Sequence, residues 1–189
     1  MNNVVHTLWS NHVMINNINN KEILENFTNS IFENSNLDKP FSEMQDTCIF
    51  ENGPEIFRQF RDKIVLPAFD EYLDLIGIDR NKFPKRKVNS WITGSKKGYL
   101  KPPHNHSGAS LSGIFYILNE EKDRGGELVL QDHRNNANRG YKEEFKFLFE
   151  DKKYMPSSGE YIIFPSYIYH YTLPFSGALR LAVPVDLSL

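Results

Sequence analysis

Cysteine is nearly missing from this chain. Cys48 is the one thiol in 189 residues, so no intrachain disulfide can form and a reducing compartment is expected. An excess of either charge is also missing. Lys plus Arg number 22 against 24 Asp plus Glu, giving a formal charge of -2 and a pI near 6.3, which argues against a general nucleic-acid binder. No apolar run approaches the roughly 20 residues that span a bilayer. The opening MNNVVHTLWSNHVMI has no basic segment followed by an apolar one, as a signal peptide requires. A cytoplasmic protein without a membrane partner is the expectation, and no segment repeats at a fixed period.

What is present is a core. Hydrophobic residues make up 40% and aromatics 13%, and the length suits a single domain. Residues 1–83 read as a helical brace with edge strands. Val4, Thr7, Trp9, Val13 and Ile15 fit one or two such strands. In Lys21 to Phe32, residues Ile23, Leu24, Phe27 and Ile31 recur at helical spacing behind Asn19 or Asn20 as N-cap. Residues 33–53, broken by Pro40, read as a loop. A second helix begins after Gly53 with Pro54 at its first position, and it carries Ile56, Phe57, Phe60, Ile64 and Val65 on one face. Pro67 should kink or split it.

Beyond Pro84 the pattern changes to short runs rich in β-branched and aromatic residues. They lie at 87–93, 111–118, 127–131, 145–149, 160–164, 167–173 and 178–185, and glycine and proline turns divide them. Strands at this spacing imply a mainly β fold closed as a double-sheet jelly roll, or double-stranded β-helix, over 84–189. The polar stretch Asp132 to Tyr141 reads as a loop near one mouth of that fold.

One stretch, PPHNHSGASLSGIFYILN over 102–119, carries chemistry. His104 and His106 head an apolar strand-like run, where residues i and i+2 share a face. Two imidazoles so placed chelate a borderline divalent metal such as Fe(II), Zn(II), Ni(II) or Cu(II), given a further ligand. His170, in FPSYIYHYTLP, is the candidate third ligand. Surface solvation or core hydrogen bonding is the plainer role for such a pair. Ten residues after His170 stands Arg180, inside ALRLAVPV. A guanidinium among apolar neighbours requires an anionic partner, either a protein carboxylate or a ligand carboxylate held by its fork. Lys85, Arg86, Lys87, Lys96, Lys97 and Lys101 precede the histidine pair, as a solvated rim or as a funnel for an anionic substrate.

In order, H-x-H, LSGIFYILN, GGELVL with Asp132 and Arg134 behind it, PSSGEYIIFPS, His170 and Arg180 resemble the iron(II)/2-oxoglutarate-dependent oxygenases. More narrowly, they are similar to bacterial and phage members that carry His-x-His. The resemblance covers about residues 87–186. It implies an oxygenase, a hydroxylase of a small molecule or peptide, with Fe(II) and 2-oxoglutarate as cofactors. His104 and His170 match metal ligands, and Arg180 matches the residue that binds the far carboxylate of 2-oxoglutarate. His106 stands where the superfamily usually has Asp or Glu, so three histidines form the expected metal set, with Asp132 as an alternative ligand. Tyr116 and Ser112, alternating along the strand after the pair, are candidates to hydrogen-bond 2-oxoglutarate. Asn89 and Trp91 share a face on the preceding strand and are pocket candidates, but core packing is the preferred reading of Trp91. Tyr167, Tyr169 and Tyr171 read as packing or as a substrate-side wall.

Two other readings use the same barrel. A cupin-type metal enzyme needs no 2-oxoacid, but cupins add a Glu shortly after the pair, where this chain has Ser107, Gly108, Ala109 and Ser110. A jelly roll that binds protein or sugar without catalysis is the other.

Overall fold

The computed structural model describes residues 10–34, 48–119, 125–132, 134, 142–144 and 150–189. Helix α1 spans Lys21–Asn34 and buries Ile23, Phe27 and Ile31. Its N-cap is Asn20, whose side-chain oxygen accepts from the Ile23 amide at 3.0 Å. A short α2 (Ile49–Asn52) precedes α3 (Glu55–Phe60), which has Pro54 as its cap rather than its first turn residue. Helix α4 (Leu66–Leu75) continues α3 through wider π-type turns over Arg61–Val65. The expected break at Pro67 therefore takes another form. Proline cannot donate to the carbonyl four residues back, and the ladder loosens just before it, with the Leu66 amide reaching the Arg61 carbonyl five residues behind.

Among the described residues, ten strands make two antiparallel sheets. The larger contains β1 (Met14–Asn17), β8 (Glu160–Pro165), β5 (Leu111–Asn119), β10 (Arg180–Ser188) and β2 (Lys87–Ser90) in that order, and β3 (Thr93–Ser95) also pairs with β10. The smaller runs β4 (Lys101–His104), β9 (His170–Thr172), β6 (Leu128–Leu130), β7 (Lys152–Tyr154). The sandwich is the jelly roll that the strand spacing implied.

Period-two alternation divides β10 between two environments. Leu181, Val183, Val185 and Leu187 face the helices and join the main core with Phe27, Phe60, Phe69 and Phe115. Ala182 faces the small sheet, in a second cluster with Tyr116, Leu128, Ile162 and Phe164. Phe60 ties the layers together. Its ring stacks on Phe27 at 4.2 Å and meets Phe115 of β5 edge-on at 6.0 Å. Gly113 lets Phe69 pack closely on β5, because a Cβ there would lie 3.0 Å from that ring and push it back by a few tenths of an ångström.

Several expected elements shift. The 87–93 run is two strands, with β3 joining β10 further along, and β9 occupies only the end of 167–173. Val4, Thr7, Trp9, the 145–149 run and most of the Asp132 to Tyr141 stretch lie outside the described residues. The histidine pair is not on the strand that continues to residue 118. His104 ends β4 in the small sheet, and His106 sits in the connection that crosses to β5 in the large one. The turn chemistry of Ser107 and Gly108, the latter with φ of 90°, redirects the chain there.

Candidate active site

Three histidines from two chain segments converge between the sheets. Strands β4 and β9 are neighbours, with His104 directly opposite His170 in register. The crossing connection is pinned by the His106 amide donating to the Ser166 carbonyl at 3.1 Å. Ring centroids lie 4.3 Å apart for His104 and His170, 5.2 Å for His104 and His106, and 5.1 Å for His106 and His170. One ligating nitrogen from each ring lies within 4.8 Å of the other two.

Their hydrogen bonds decide which nitrogen that is. His104 Nδ1 faces the Pro102 carbonyl at 2.8 Å, His170 Nδ1 the Ile168 carbonyl at 3.0 Å, and His106 Nδ1 the Asp186 carboxylate at 2.6 Å. Each partner is an oxygen acceptor, so each Nδ1 carries the proton and each Nε2 lone pair is left for a ligand. Burial pushes the His170 imidazole down to about 3 and also lowers His104, opposed in both by their carbonyl partners. Both rings are therefore neutral at pH 7. The donor set matches what a borderline divalent cation requires.

Arg180 lines the same cavity, a cleft between the sheets. It is 3% exposed. Its Nη1 donates to the Gly126 carbonyl, its Nη2 to Ser95 Oγ at 3.3 Å, and its Cζ lies 5.1 Å from the Phe175 ring centroid. These partners are neutral, and among the described residues no carboxylate forms an ion pair with Arg180. Burial lowers its pKa while Tyr116, Tyr99 and Glu127 act in the other direction, yet a guanidinium stays charged. Gly126, with φ of 80°, permits the approach: a Cβ there would lie 2.5 Å from Arg180 Nη1. A buried cation that lines a cleft and pairs with no carboxylate among the described residues fits an organic carboxylate.

The other sequence candidates divide. Tyr116 is fully buried, lines the cleft, and has its phenol pKa raised by that burial. Trp91 also lines it, 5.5 Å from the His106 ring, rather than entering the core. Asn89 is exposed on β2. Ser112 turns towards Asp186, donating to its Oδ1 at 2.8 Å, and stands outside the cleft lining. Asp132 accepts from the Arg134 side chain and amide and is not among the converging groups. Of the basic cluster, Arg86 pairs with Asp70, while Lys101 lines the cleft. Tyr167 and Tyr169 are exposed.

Asp186 is the residue that the sequence reading misses. The signal was available in strand parity, since Arg180, Ala182, Pro184 and Asp186 alternate with the core-facing residues of β10, and the first three line the cleft.

The family described as "Putative 2OG-Fe(II) oxygenase" matches residues 89–186. A search of curated proteins finds no match. The truncated viral collagen prolyl hydroxylase from Paramecium bursaria Chlorella virus-1 aligns over 100% of both chains at 12% identity, with a TM-score of 0.60. HygX from Streptomyces hygroscopicus, solved with nickel and 2-oxoglutarate, aligns over 94% of this chain and 83% of its own at 12% identity, with a TM-score of 0.63. An oxidoreductase of the 2OG-Fe(II) oxygenase family from Burkholderia pseudomallei gives 14% identity and a TM-score of 0.47 over 74% of this chain. The chain spans 55% of that protein's length.

Proposed function

We propose that this chain, which belongs to the 2OG-Fe(II) oxygenase family, holds Fe(II) on His104, His106 and His170, holds 2-oxoglutarate on Arg180, and hydroxylates a small molecule or peptide. One observation carries this assignment of residues. Three Nε2 lone pairs and a buried guanidinium whose hydrogen-bond partners are neutral share a single cleft between the sheets. When bound, the metal and 2-oxoglutarate supply, with O2, the oxidation that converts a C–H bond to C–OH while the 2-oxoacid loses CO2 and becomes succinate.

The chain's own residues supply placement. Arg180 binds the far carboxylate through the part of its fork that Gly126 and Ser95 leave free, and the Phe175 face and Gly126 carbonyl keep the guanidinium from turning. The carbonyls of Pro102 and Ile168 hold two imidazoles in the metal-binding tautomer. Ile114, Leu128 and Ala182 form apolar walls that exclude water, and Tyr116 presents a neutral hydroxyl beside Arg180. Trp91, 5.5 Å from the His106 ring, and Lys101, on the strand that ends in His104, line the cleft beside the histidines and are the residues offered to a substrate.

The test is succinate formation from 2-oxoglutarate in the presence of Fe(II) and O2, first without and then with panels of peptides and small molecules. Succinate above the metal-free control, abolished by His170→Ala, is expected. No succinate in any arm would overturn the reading.

A further inference from the structure

The usual iron site of oxygenases joins two histidines to one carboxylate, which offsets part of the metal's charge. Here His106 stands in place of the carboxylate, and three neutral rings offset none. We infer that Asp186 is the missing carboxylate moved one bond outward: it acts through His106 as a positioning residue that tempers the charge of the metal site. This rests on the proposed function.

The three histidines are not equivalent in what holds them. His104 and His170 donate to backbone carbonyls at 2.8 and 3.0 Å, whereas among the described residues His106 alone of the three is given an anion, and at the shortest distance, 2.6 Å. A charge-assisted bond has that character. The ring that replaces the carboxylate is therefore the one that receives a carboxylate from behind. Both groups are mostly buried, with side chains 11% and 16% exposed for His106 and Asp186, so water screens the pair little.

Asp186 is also built in place rather than hanging from a loop. It lies on β10 opposite Ser112 of β5 in register, and Ser112 Oγ donates to the same oxygen at 2.8 Å. Arg180 stands on the same face of β10, six residues away. One strand thus carries both the cation that faces the 2-oxoacid and the anion that backs the metal. An acceptor behind a ligating imidazole fixes its tautomer and raises its basicity. Its charge also opposes the attraction of a loaded metal for any anionic ligand. These two effects act in opposite directions on two measurable affinities, and a residue that merely supports the fold would not separate them.

The experiment measures Co(II) binding to metal-free protein by chelator competition, then 2-oxoglutarate binding to Co(II)-saturated protein by calorimetry. Asp186→Asn is expected to weaken Co(II) about 10- to 100-fold, while 2-oxoglutarate binding to the saturated variant tightens by at least about threefold. Asp186→Ser, which removes the charge but keeps a small polar group against Ser112, is made alongside and has the same two signs, so a folding defect particular to one variant does not decide the result. If both affinities fall, or either is unchanged in the folded variants, the assignment is overturned. Failure of the wild type to bind Co(II), or of the loaded wild type to take up 2-oxoglutarate, instead sinks the proposed function itself.

Discussion

Arg180 is buried with neutral partners, and that makes its role testable in isolation. Charge-assisted hydrogen bonds are each worth about 1.5–3 kcal/mol, and about 1.4 kcal/mol is tenfold in affinity. Arg180→Gln should therefore weaken 2-oxoglutarate binding by about 100-fold or more, measured by calorimetry on metal-loaded protein, with metal affinity unchanged within about threefold. The histidines give a second residue-scale prediction, for the metal-free protein. Unfolding returns His170 from about 3 to its ordinary 6.5. Between those values the unfolded chain binds a proton that the folded chain refuses, so stability is fully present above pH 6.5 and is lost as pH falls towards 3. His104 adds to the same trend. Thermal unfolding between about pH 7 and about pH 4 should show a steeper loss for wild type than for His170→Asn, and parallel curves would contradict it. At this scale the sequence was most readable where a residue type is rare in its setting. Two histidines two apart and an arginine among aliphatics stand out without coordinates. Asp186 does not, because an aspartate near a strand end is ordinary until the alternation of β10 is followed from Arg180 through Ala182 and Pro184. Ser112 was legible as facing inward but not as facing Asp186, since its partner lies 74 residues away.

At the scale of elements, periodicity located α1, α3, β5, β8 and β10, all of which bury one face or both. It failed where local composition and pairing disagree. β7, Lys-Lys-Tyr, has no strand-like composition and is held as a strand by pairing with β6. The apolar run of β5 invites extension backwards to the histidine pair, which in fact precedes that strand. A change of sheet at Ser107 and Gly108 leaves no periodic mark. The helices matter to the site through Phe60, whose stacking on Phe27 and edge contact with Phe115 join α1 and α3 to β5. Phe60→Ala removes a fully buried ring from that junction and should cost about 3–5 kcal/mol in urea unfolding. A loss below about 1 kcal/mol would show that the layers are held together elsewhere.

For the whole molecule, the family match begins at residue 89, beyond α4. The main core nevertheless mixes helical residues with the outer face of the large sheet, from Phe27 and Phe69 to Val183 and Leu187. We propose that helices and jelly roll are one folding unit. Helical circular dichroism and tryptophan fluorescence, from Trp9 and from Trp91 beside the site, should lose their signals at one urea midpoint; separate midpoints would divide the chain. Among the described residues no helix is long and apolar enough to cross a membrane. The fold was legible because strand spacing and turn residues repeat over 100 residues, whereas the site needed the third dimension to bring His170 across to His104. The most direct measurement of the central claim is anaerobic titration of the protein with Fe(II) and 2-oxoglutarate, followed in the visible spectrum. A weak charge-transfer band that needs both additions, saturates at one equivalent of each, and is lost in Arg180→Gln and His170→Ala is the predicted result. A flat spectrum from folded wild-type protein would contradict it.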